Sequence, residues 1–370
     1  MPSVLYVSKP VAPPWNDSSK NLVRDLALGL TRYTPAVMTR RGEDHSLGST
    51  VEADPIYPAS AGGFAPGMKD NARVMGRLLI GRAPDLVHFF FAPNPKSSAA
   101  GRLATTLRRM PSVHTICSAP REEQAAARVL FADKNVVLSA HTEARMLAAG
   151  VPRERLVRIP PAIAPLTPPD AAAVASGRAL FDLPATAPLL CYPGDLEFGR
   201  GALTVLEAFA AMPQRDAILV MACRAKTAGA REAEQQLRAQ AEQLGIAPRV
   251  VWIGETNAIH TLLAAVDVVL LPTDTLYAKM DYPLVILEAM SLGKPVVVGL
   301  GTPAEELCTG GAALATEVSR DAVLDVMTRL TDSASLRADH GERGRQRVLS
   351  AYTRAPMAAA YEALYDELVA

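Results

Sequence analysis

The residue best placed to do chemistry is a carboxylate in an otherwise apolar helix. Glu288 has apolar neighbours on both sides, and its predicted helix follows an apolar strand, Val268–Leu271, and a polar loop. An unpaired buried carboxylate is costly, so we expect Glu288 to bind a ligand. The free amides of Leu284 and Val285, together with the helix dipole, favour a phosphate at the start of this helix. One turn further in, Glu288 can accept hydrogen bonds from both hydroxyl groups of a ribose.

Apolar runs that alternate with helical patterns along the chain must position these groups. The predicted strands are Ser3–Val7, Leu86–Phe91, Ser112–Ile116, Asn135–Leu138, Leu189–Tyr192, Ala217–Ala222, Arg249–Ile253, Val268–Leu271 and Pro295–Gly299. The predicted helices cover residues 18–31, 97–110, 142–149, 203–212, 230–244, 259–266, 285–292 and 356–369. Continuous apolar strands separated by helices indicate an α/β fold with parallel sheets covered on both faces.

A proline-rich segment divides the sequence. The chain has 370 residues, and domains usually contain about 100–200, so two domains are expected. Residues 159–169 include five prolines, which cannot continue a helix. We therefore predict one doubly wound domain over residues 1–165 and a second from residue 166 onward. One large α/β domain is the alternative, and the amphipathic helix 356–369 could pack on either domain.

Composition excludes several classes of protein. No apolar run reaches the roughly 18 residues that a membrane span needs, and the N-terminus lacks the basic and apolar regions of a signal peptide. These features predict a cytoplasmic protein. The four cysteines lack the spacing of a metal site or a disulfide framework, so no metal is expected. No basic run is dense enough to suggest nucleic acid as a partner.

Charge is unevenly distributed although the net charge is zero. Residues 1–165 hold 21 Lys and Arg against 13 Asp and Glu, a balance of +8, whereas the other 205 residues hold 17 against 25, a balance of −8. This asymmetry indicates different partners for the two halves. Arg102, Arg108 and Arg109 on one predicted helix could attract an anionic ligand or the inner face of a membrane. A solvated helix face is the simpler alternative for these three arginines.

The segment around Glu288 resembles a known signature. The stretch from Pro283 to Val298, Pro-Leu-Val-Ile-Leu-Glu-Ala-Met-Ser-Leu-Gly-Lys-Pro-Val-Val-Val, is similar to the donor-binding motif of glycosyltransferase family 4. That family has the GT-B fold, in which two Rossmann-like domains face a cleft, and transfers sugars with retention of configuration. The resemblance implies that Glu288 binds the ribose of a nucleotide-sugar donor, beside Pro283, Leu284 and Val285.

The resemblance extends to other segments. Gly194–Gly201 is similar to the loop whose basic residues bind the donor diphosphate, which implies this role for Arg200 and contacts from Gly194 and Asp195. Residues 250–256 resemble the segment that holds the nucleobase, which implies that Gly254, Glu255 and Thr256 line the donor site. In the GT-B fold the terminal helix crosses back, so residues 352–370 are expected to join the first domain and 166–351 to form the second.

Departures from the family pattern fall on the catalytic centre. The first Glu of the family motif is Met280, with Asp281 beside it, and the first Arg of the phosphate loop is Asp195. A His that many members place near the reacting sugar is Cys117, close to His114. We consider Arg200, Asp281, His114 and Cys117 as catalytic candidates. A helix cap is an equal alternative for Asp281, and a structural role is the simpler one for His114.

The loop after the first strand is the predicted acceptor site. It carries an aromatic ring beside polar groups, a combination that suits a sugar, and an exposed turn is the alternative. Its candidate residues are Trp15, Asn16, Asp17, Ser18 and Lys20.

The sequence therefore predicts a retaining glycosyltransferase that uses a nucleotide diphosphate-sugar and no cofactor. Its acceptor is a glycan, a lipid carrier or a small molecule. A catalytically inactive binding protein with the same fold, or a sugar-nucleotide epimerase, are the alternatives.

Overall fold

Each half of the chain is organised around its own parallel β-sheet. The computed structural model describes residues 1–42, 45–60, 66–119 and 126–369. One compact unit comprises Met1–Ala164, Tyr277–Asp281 and Tyr352–Ala370, and the other comprises Pro165–Leu276 and Tyr282–Ala351. The segment Tyr277–Asp281 is therefore part of the first unit, whereas the sequence-based division assigned it to the second domain. Among the described residues, no helix is both long enough and apolar enough to cross a membrane.

In the described part of the first unit, the sheet has seven parallel strands. They are β1 (Ser3–Val7), β2 (Thr34–Arg40), β3 (Glu52–Tyr57), β4 (Leu86–Phe91), β5 (Ser112–Ile116), β6 (Lys134–Val137) and β7 (Leu156–Arg158). Their order is β3-β2-β1-β4-β5-β6-β7. The central strands β1, β4 and β5 are almost wholly buried, as continuous apolar runs require when helices cover both faces.

Among the residues that the structure describes in this unit, five helices connect the strands of the sheet. They are α1 (Ser18–Gly29), α2 (Met68–Ile80), α3 (Pro95–Arg108), α4 (Ala126–Val129) and α5 (Ala140–Ala148). Short polar side chains fix where three of them begin. Asp17, Asn94 and Ser139 accept hydrogen bonds from the first free amides of α1, α3 and α5.

The sheet of the second unit has six parallel strands. They are β8 (Leu189–Tyr192), β9 (Ile218–Ala222), β10 (Val250–Ile253), β11 (Val268–Leu271), β12 (Val296–Gly299) and β13 (Leu314–Thr316). Their order is β10-β9-β8-β11-β12-β13, so the direction of winding reverses between β8 and β11. Ligands of doubly wound sheets bind at the carboxyl ends of the strands that flank such a reversal.

Seven helices cover the second sheet. They are α6 (Ala171–Leu180), α7 (Gly201–Ala211), α8 (Ala228–Gln243), α9 (Ile259–Ala265), α10 (Leu284–Ser291), α11 (Arg320–Asp332) and α12 (Ala334–Ala351). Helix α9 packs against α6 and α10, whereas α7 packs against α8 and α11. These two groups are the two helical layers of a doubly wound fold.

The helix α13 (Arg354–Val369) belongs to the first unit, as the GT-B resemblance implied. Its Glu362 carboxylate accepts hydrogen bonds from the backbone amides of Thr31 and Arg32, both at 2.6 Å. Burial alone would raise the pKa of Glu362, but these amides and the Arg32 guanidinium hold it below its usual value. Arg354 adds an ion pair to Asp25 at 2.6 Å. The helix is thus fastened to α1 and to the turn after it.

A buried polar network connects α13 to the first sheet. The Tyr365 hydroxyl lies 2.6 Å from Nδ1 of His88, whose Nε2 lies 2.7 Å from Oγ1 of Thr115. The Tyr361 hydroxyl lies 2.9 Å from the same Thr115 oxygen, and Tyr6 contacts Tyr365 at 3.3 Å. Each of these groups finds a partner, so their burial is tolerated.

Candidate functional site

The loops after β8 and β11 are joined at the reversal point of the second sheet. The backbone amide of Arg200 donates to the Asp274 carboxylate at 2.8 Å. Gly199 has φ of +84°, and a Cβ there would lie 2.7 Å from Asp274 Oδ1. Only glycine combines that dihedral with so close an approach. The loop Gly194–Arg200 is therefore held against Asp274, at the edge where ligands of this fold bind.

Asp195 shapes this loop by capping its own backbone. Its Oδ1 accepts hydrogen bonds from the amides of Glu197 at 2.7 Å and Phe198 at 2.9 Å. The Tyr192 hydroxyl donates to the Asp195 carbonyl at 3.1 Å. A carboxylate in the position of the family's basic residue thus has a structural explanation, since it satisfies loop amides. Its predicted contact with the donor stays a prediction.

Arg200 is the cation of this loop. It occupies the N-cap position of α7, and its side chain is exposed. Within the described part of the chain, the guanidinium forms no hydrogen bond or ion pair, although its backbone amide is engaged. An unengaged guanidinium beside a helix N-terminus suits an anion such as a diphosphate, which it can bind through two parallel hydrogen bonds.

The start of α10 presents free amides, as expected from sequence. Pro283 is the N-cap residue, and its carbonyl accepts from Ile286 at 2.9 Å. The amides of Leu284 and Val285 have no hydrogen-bond acceptor among the described residues. Leu284 is buried and Val285 is half-buried. This helix end can bind an anion.

Glu288 lies one turn into α10 and is mostly buried. Its side chain is 14% exposed, and Oε1 lies 3.2 Å from Nε2 of His260 on α9. The pairing explains how a carboxylate is tolerated among apolar neighbours. His260 is 51% exposed, so the pair is open to solvent on the histidine side.

The predicted nucleobase segment follows β10. Gly254 and Glu255 are exposed, and the Glu255 carboxylate pairs with Arg224 at 3.0 Å. The Thr256 hydroxyl accepts a hydrogen bond from the Ala258 amide at 3.0 Å, just before α9 begins. One strand, β9, separates β10 from β8 in the sheet. These residues therefore share the carboxyl edge with Gly194–Arg200 but do not directly follow a strand at the reversal point.

Asp281 lies in the first unit and is not grouped with Glu288. Its Oδ2 accepts a hydrogen bond from Ser139 Oγ at 2.6 Å, and Asp281 is only 4% exposed. Ser139 in turn caps α5 by accepting from the Thr142 amide at 3.0 Å. The alternative that Asp281 caps the helix beginning at Leu284 is wrong, because Pro283 is the N-cap of α10. A negative charge near the N-terminus of α5 is favourable instead.

His114 lies in the middle of β5 and Cys117 directly follows this strand, and both residues are buried. His114 is 0% exposed and its Nε2 lies 3.0 Å from the Phe91 carbonyl. Burial lowers the pKa of His114 to about 4, despite the opposing hydrogen bond to Phe91, and burial raises the pKa of Cys117 to about 12. At neutral pH the imidazole is uncharged and the thiol is protonated, so neither group supplies a charge to a reacting sugar.

We expect acid to destabilise the first unit through its two buried histidines, His114 and His88. Because the pKa of His114 is about 4 in the folded state and about 6.5 when unfolded, the unfolded chain binds more protons between these values. Stability is therefore complete above pH 6.5 and declines as the pH falls toward 4, by about 2 kcal/mol between pH 7 and 5. His88, whose pKa burial also lowers, acts in the same direction.

Urea denaturation at pH 7 and pH 5 measures this dependence. His114→Gln should reduce the difference between the two free energies of unfolding. An undiminished pH dependence in the His114 variant would mean that other groups cause it.

The predicted acceptor loop is held mainly by its own polar groups. Lys20 is 4% exposed, and its Nζ donates to the carbonyls of Ala12 and Pro14, both at 2.9 Å. Asp17 caps α1, where Ser18 is the first residue, and pairs with Lys9 at 2.7 Å. Lys20 and Asp17 therefore build the loop, which accounts for them without a ligand.

Trp15 and Asn16 remain half-buried side chains of the same loop. The Arg24 guanidinium lies 4.7 Å from the centre of the Trp15 ring, and Asn21 donates to the Trp15 carbonyl at 3.2 Å. One face of the indole is thus occupied by a cation. Contact between Trp15, Asn16 or Ser18 and an acceptor stays a prediction.

Three residues that the sequence analysis missed support the site of the second unit. The Asp274 carboxylate accepts from the Arg200 amide, His260 contacts Glu288, and Arg224 pairs with Glu255. Asp274 follows a buried strand at the reversal point, a signal that was present in the sequence. Within the described ranges, no group of three or more His, Cys, Asp or Glu side chains could hold a metal ion.

Comparison with known proteins agrees with this geometry. Residues 178–347 match the family Glycosyl transferases group 1. Over 226 residues the chain is 27% identical to D-inositol 3-phosphate glycosyltransferase from Xylanimonas cellulosilytica, an alignment that covers 54% of this chain and 52% of that protein. The chain thus matches about half the length of this curated relative. The resemblance to glycosyltransferase family 4 is confirmed, and its strongest part is the second unit.

Solved structures extend the likeness to the whole chain. HepE from Anabaena, in complex with UDP and glucose, superposes with a TM-score of 0.80 at 17% identity, with 100% of both chains covered. Sucrose-phosphate synthase from Thermosynechococcus elongatus gives a TM-score of 0.77 at 19% identity, over 100% of this chain and 99% of that one. The predicted fold is therefore confirmed: this is a GT-B protein with two Rossmann-like units.

Proposed function

We propose that this protein is a glycosyltransferase that takes a sugar from a nucleotide diphosphate-sugar bound to the second unit. The observation that carries the proposal is the start of α10, where the free amides of Leu284 and Val285 precede Glu288 by one turn. The amides suit the diphosphate and the carboxylate suits the ribose hydroxyls. The UDP complex of the structural neighbour HepE supports a nucleotide ligand, and UDP is the first one to test.

Stabilisation of the leaving group is the main catalytic contribution that this chain can make. As the bond between the sugar and the diphosphate breaks, negative charge grows on the departing oxygen. Arg200 and the α10 amides are fixed positive groups that interact most strongly with that charge in the transition state. The family resemblance supports retention of configuration, which the anomeric proton of the product would report by NMR. We expect turnover without added metal and in the presence of EDTA.

A thermal-shift panel of nucleoside diphosphates tests the proposal. A ligand that binds only the native state raises its stability by RT ln(1 + [L]/Kd), so one plate identifies the base and demonstrates binding. We expect a rise in Tm with at least one nucleoside diphosphate, and a smaller rise with the corresponding nucleoside because it lacks the phosphates. No shift with any of them would refute the proposal.

An inactive binding protein with the same fold is the second candidate. Three departures favour it, because Met280 is apolar, Asp195 caps its own loop, and Cys117 is a buried neutral thiol. An assay of slow hydrolysis distinguishes the two candidates. It measures the nucleoside diphosphate that is released from the nucleotide-sugar. Binding without any turnover across several sugars would favour the inactive protein, and interconversion of sugar epimers would indicate an epimerase.

The first unit is proposed to receive the acceptor. With residues 352–370, which hold one Arg and three acids, its balance of +8 becomes +6, and the second unit carries −6. A net positive field can steer an anionic acceptor, such as a lipid-linked phosphate at a membrane surface. Two of the three arginines predicted to create this field donate hydrogen bonds to backbone carbonyls of the protein itself. Arg108 donates to the carbonyls of Leu79 and Gly81, and Arg102 donates to that of Arg128.

Membrane attraction should depend on lipid charge and on salt. Arg109 is exposed, and Leu103 and Leu107 on α3 are 52% and 64% exposed, so this helix offers both charge and apolar contact. We expect the protein to float with anionic liposomes at low salt and to be released as salt rises, because the Debye length is about 10 Å at 0.1 M. Equal flotation with anionic and neutral liposomes, or no flotation with either kind, would contradict the proposal that the acceptor lies at an anionic membrane surface.

A further inference from the structure

Helices α9 and α10 bring a histidine to the carboxylate of the proposed ribose site. Both helices follow a parallel strand, so both begin at the carboxyl edge of the second sheet. They pack beside each other, and His260 in the first turn of α9 faces Glu288 in the second turn of α10. Nε2 of His260 lies 3.2 Å from Oε1 of Glu288. The contact therefore follows from the topology.

This contact restricts the directions in which Glu288 can point. A glutamate side chain has several rotamers, and fixing it costs conformational entropy. Two ribose hydroxyls are recognised together only when both carboxylate oxygens keep one orientation. With Nε2 protonated, His260 can donate to Oε1, which lies 3.2 Å away, and can restrain that oxygen from the side of α9. Each oxygen has two lone-pair positions, so Oε1 can still accept from a ribose hydroxyl.

We propose that His260 is a positioning residue for Glu288 and that the pair determines discrimination between ribose and 2′-deoxyribose. This inference rests on the proposed function, because it assumes that Glu288 binds a ribose. His260 is 51% exposed while Glu288 is 14% exposed, so the histidine can be replaced without opening the apolar core around α10. The arrangement makes Glu288 the ribose ligand and His260 its support.

Calorimetry with two ligands tests the pair. The ligands are UDP, or the nucleoside diphosphate that the thermal-shift panel selects, and its 2′-deoxy analogue. A lost hydrogen bond to a charged group costs roughly 1.5–3 kcal/mol, so the native protein should prefer the ribonucleotide by about tenfold or more. His260→Ala should reduce this preference to within about threefold, mainly by weakening ribonucleotide binding. His260→Gln retains a donor and should restore most of the preference.

Asn257→Ala is the matched control, because Asn257 is exposed just before α9. It should change neither affinity. Equal weakening of both ligands by His260→Ala would show a general structural effect and overturn the inference, as would an unchanged preference. Absence of binding by the unaltered protein would instead refute the proposed function, so the two failures can be told apart.

Discussion

Replacing Arg200 with alanine is expected to lower kcat by roughly 100- to 1000-fold, the range for loss of one group that stabilises transition-state charge. The donor affinity should fall much less. Charge on the departing diphosphate increases toward the transition state, so a fixed cation contributes most at that point. The exposed guanidinium at the N-cap of α7 and the backbone contact to Asp274 place Arg200 for this task.

Steady-state kinetics with the nucleotide-sugar measures this effect. Arg200→Lys keeps the charge but loses the planar pair of donors, so it should recover only part of the activity. Arg231→Ala, which removes an exposed arginine from α8, is the control for a general loss of positive charge. If KM rose while kcat stayed the same in Arg200→Ala, the residue would be a binding contact only.

Glu288→Ala is expected to weaken nucleoside diphosphate binding by about 3 kcal/mol, or roughly 100-fold, because two ribose hydroxyls lose a charged acceptor. Isothermal calorimetry measures the affinity directly. Glu288→Gln keeps one acceptor oxygen and the shape of the side chain, so its loss should be smaller. Both variants should be folded, which circular dichroism can check, since the side chain retains some exposure to solvent.

The 2′,3′-dideoxy analogue of the same nucleotide provides an internal control for Glu288. It lacks both hydroxyls, so its affinity should be nearly the same in the native protein and in Glu288→Ala. Unchanged binding of the ribonucleotide in a folded Glu288 variant would remove this residue from the site.

The sequence was most informative where one strand and the helix after it show both a clear apolar pattern and groups that can bind a ligand. The apolar strand Val268–Leu271 and the helix after it were located nearly to the residue, and the free amides and buried glutamate followed from helix geometry. Strands with weaker apolar patterns were missed. The strands β2 and β3 contain prolines and polar residues and lie at one side of the first sheet, so they lack a continuous apolar run.

Side-chain partners from distant parts of the chain could not be predicted. Residues 260 and 288 come together because α9 and α10 pack on one face of the sheet, and spacing along the chain does not reveal that. Lys20 is a predicted acceptor contact because it lies in a loop that carries an aromatic ring beside polar groups. Its partners are two carbonyls of the preceding loop, which become visible only when the loop is folded. Likewise, burial around His114 determines its protonation state.

The position of α13 has a consequence for synthesis on the ribosome. The first unit needs residues from near both ends of the sequence, because Glu362 and Tyr365 bind groups in residues 6–88. The second unit lies between them, in the stretches Pro165–Leu276 and Tyr282–Ala351. Contacts that are so distant along the chain form slowly and only after both partners exist. We expect the second unit to reach its native state during translation, while the first stays incomplete until residues 354–369 emerge.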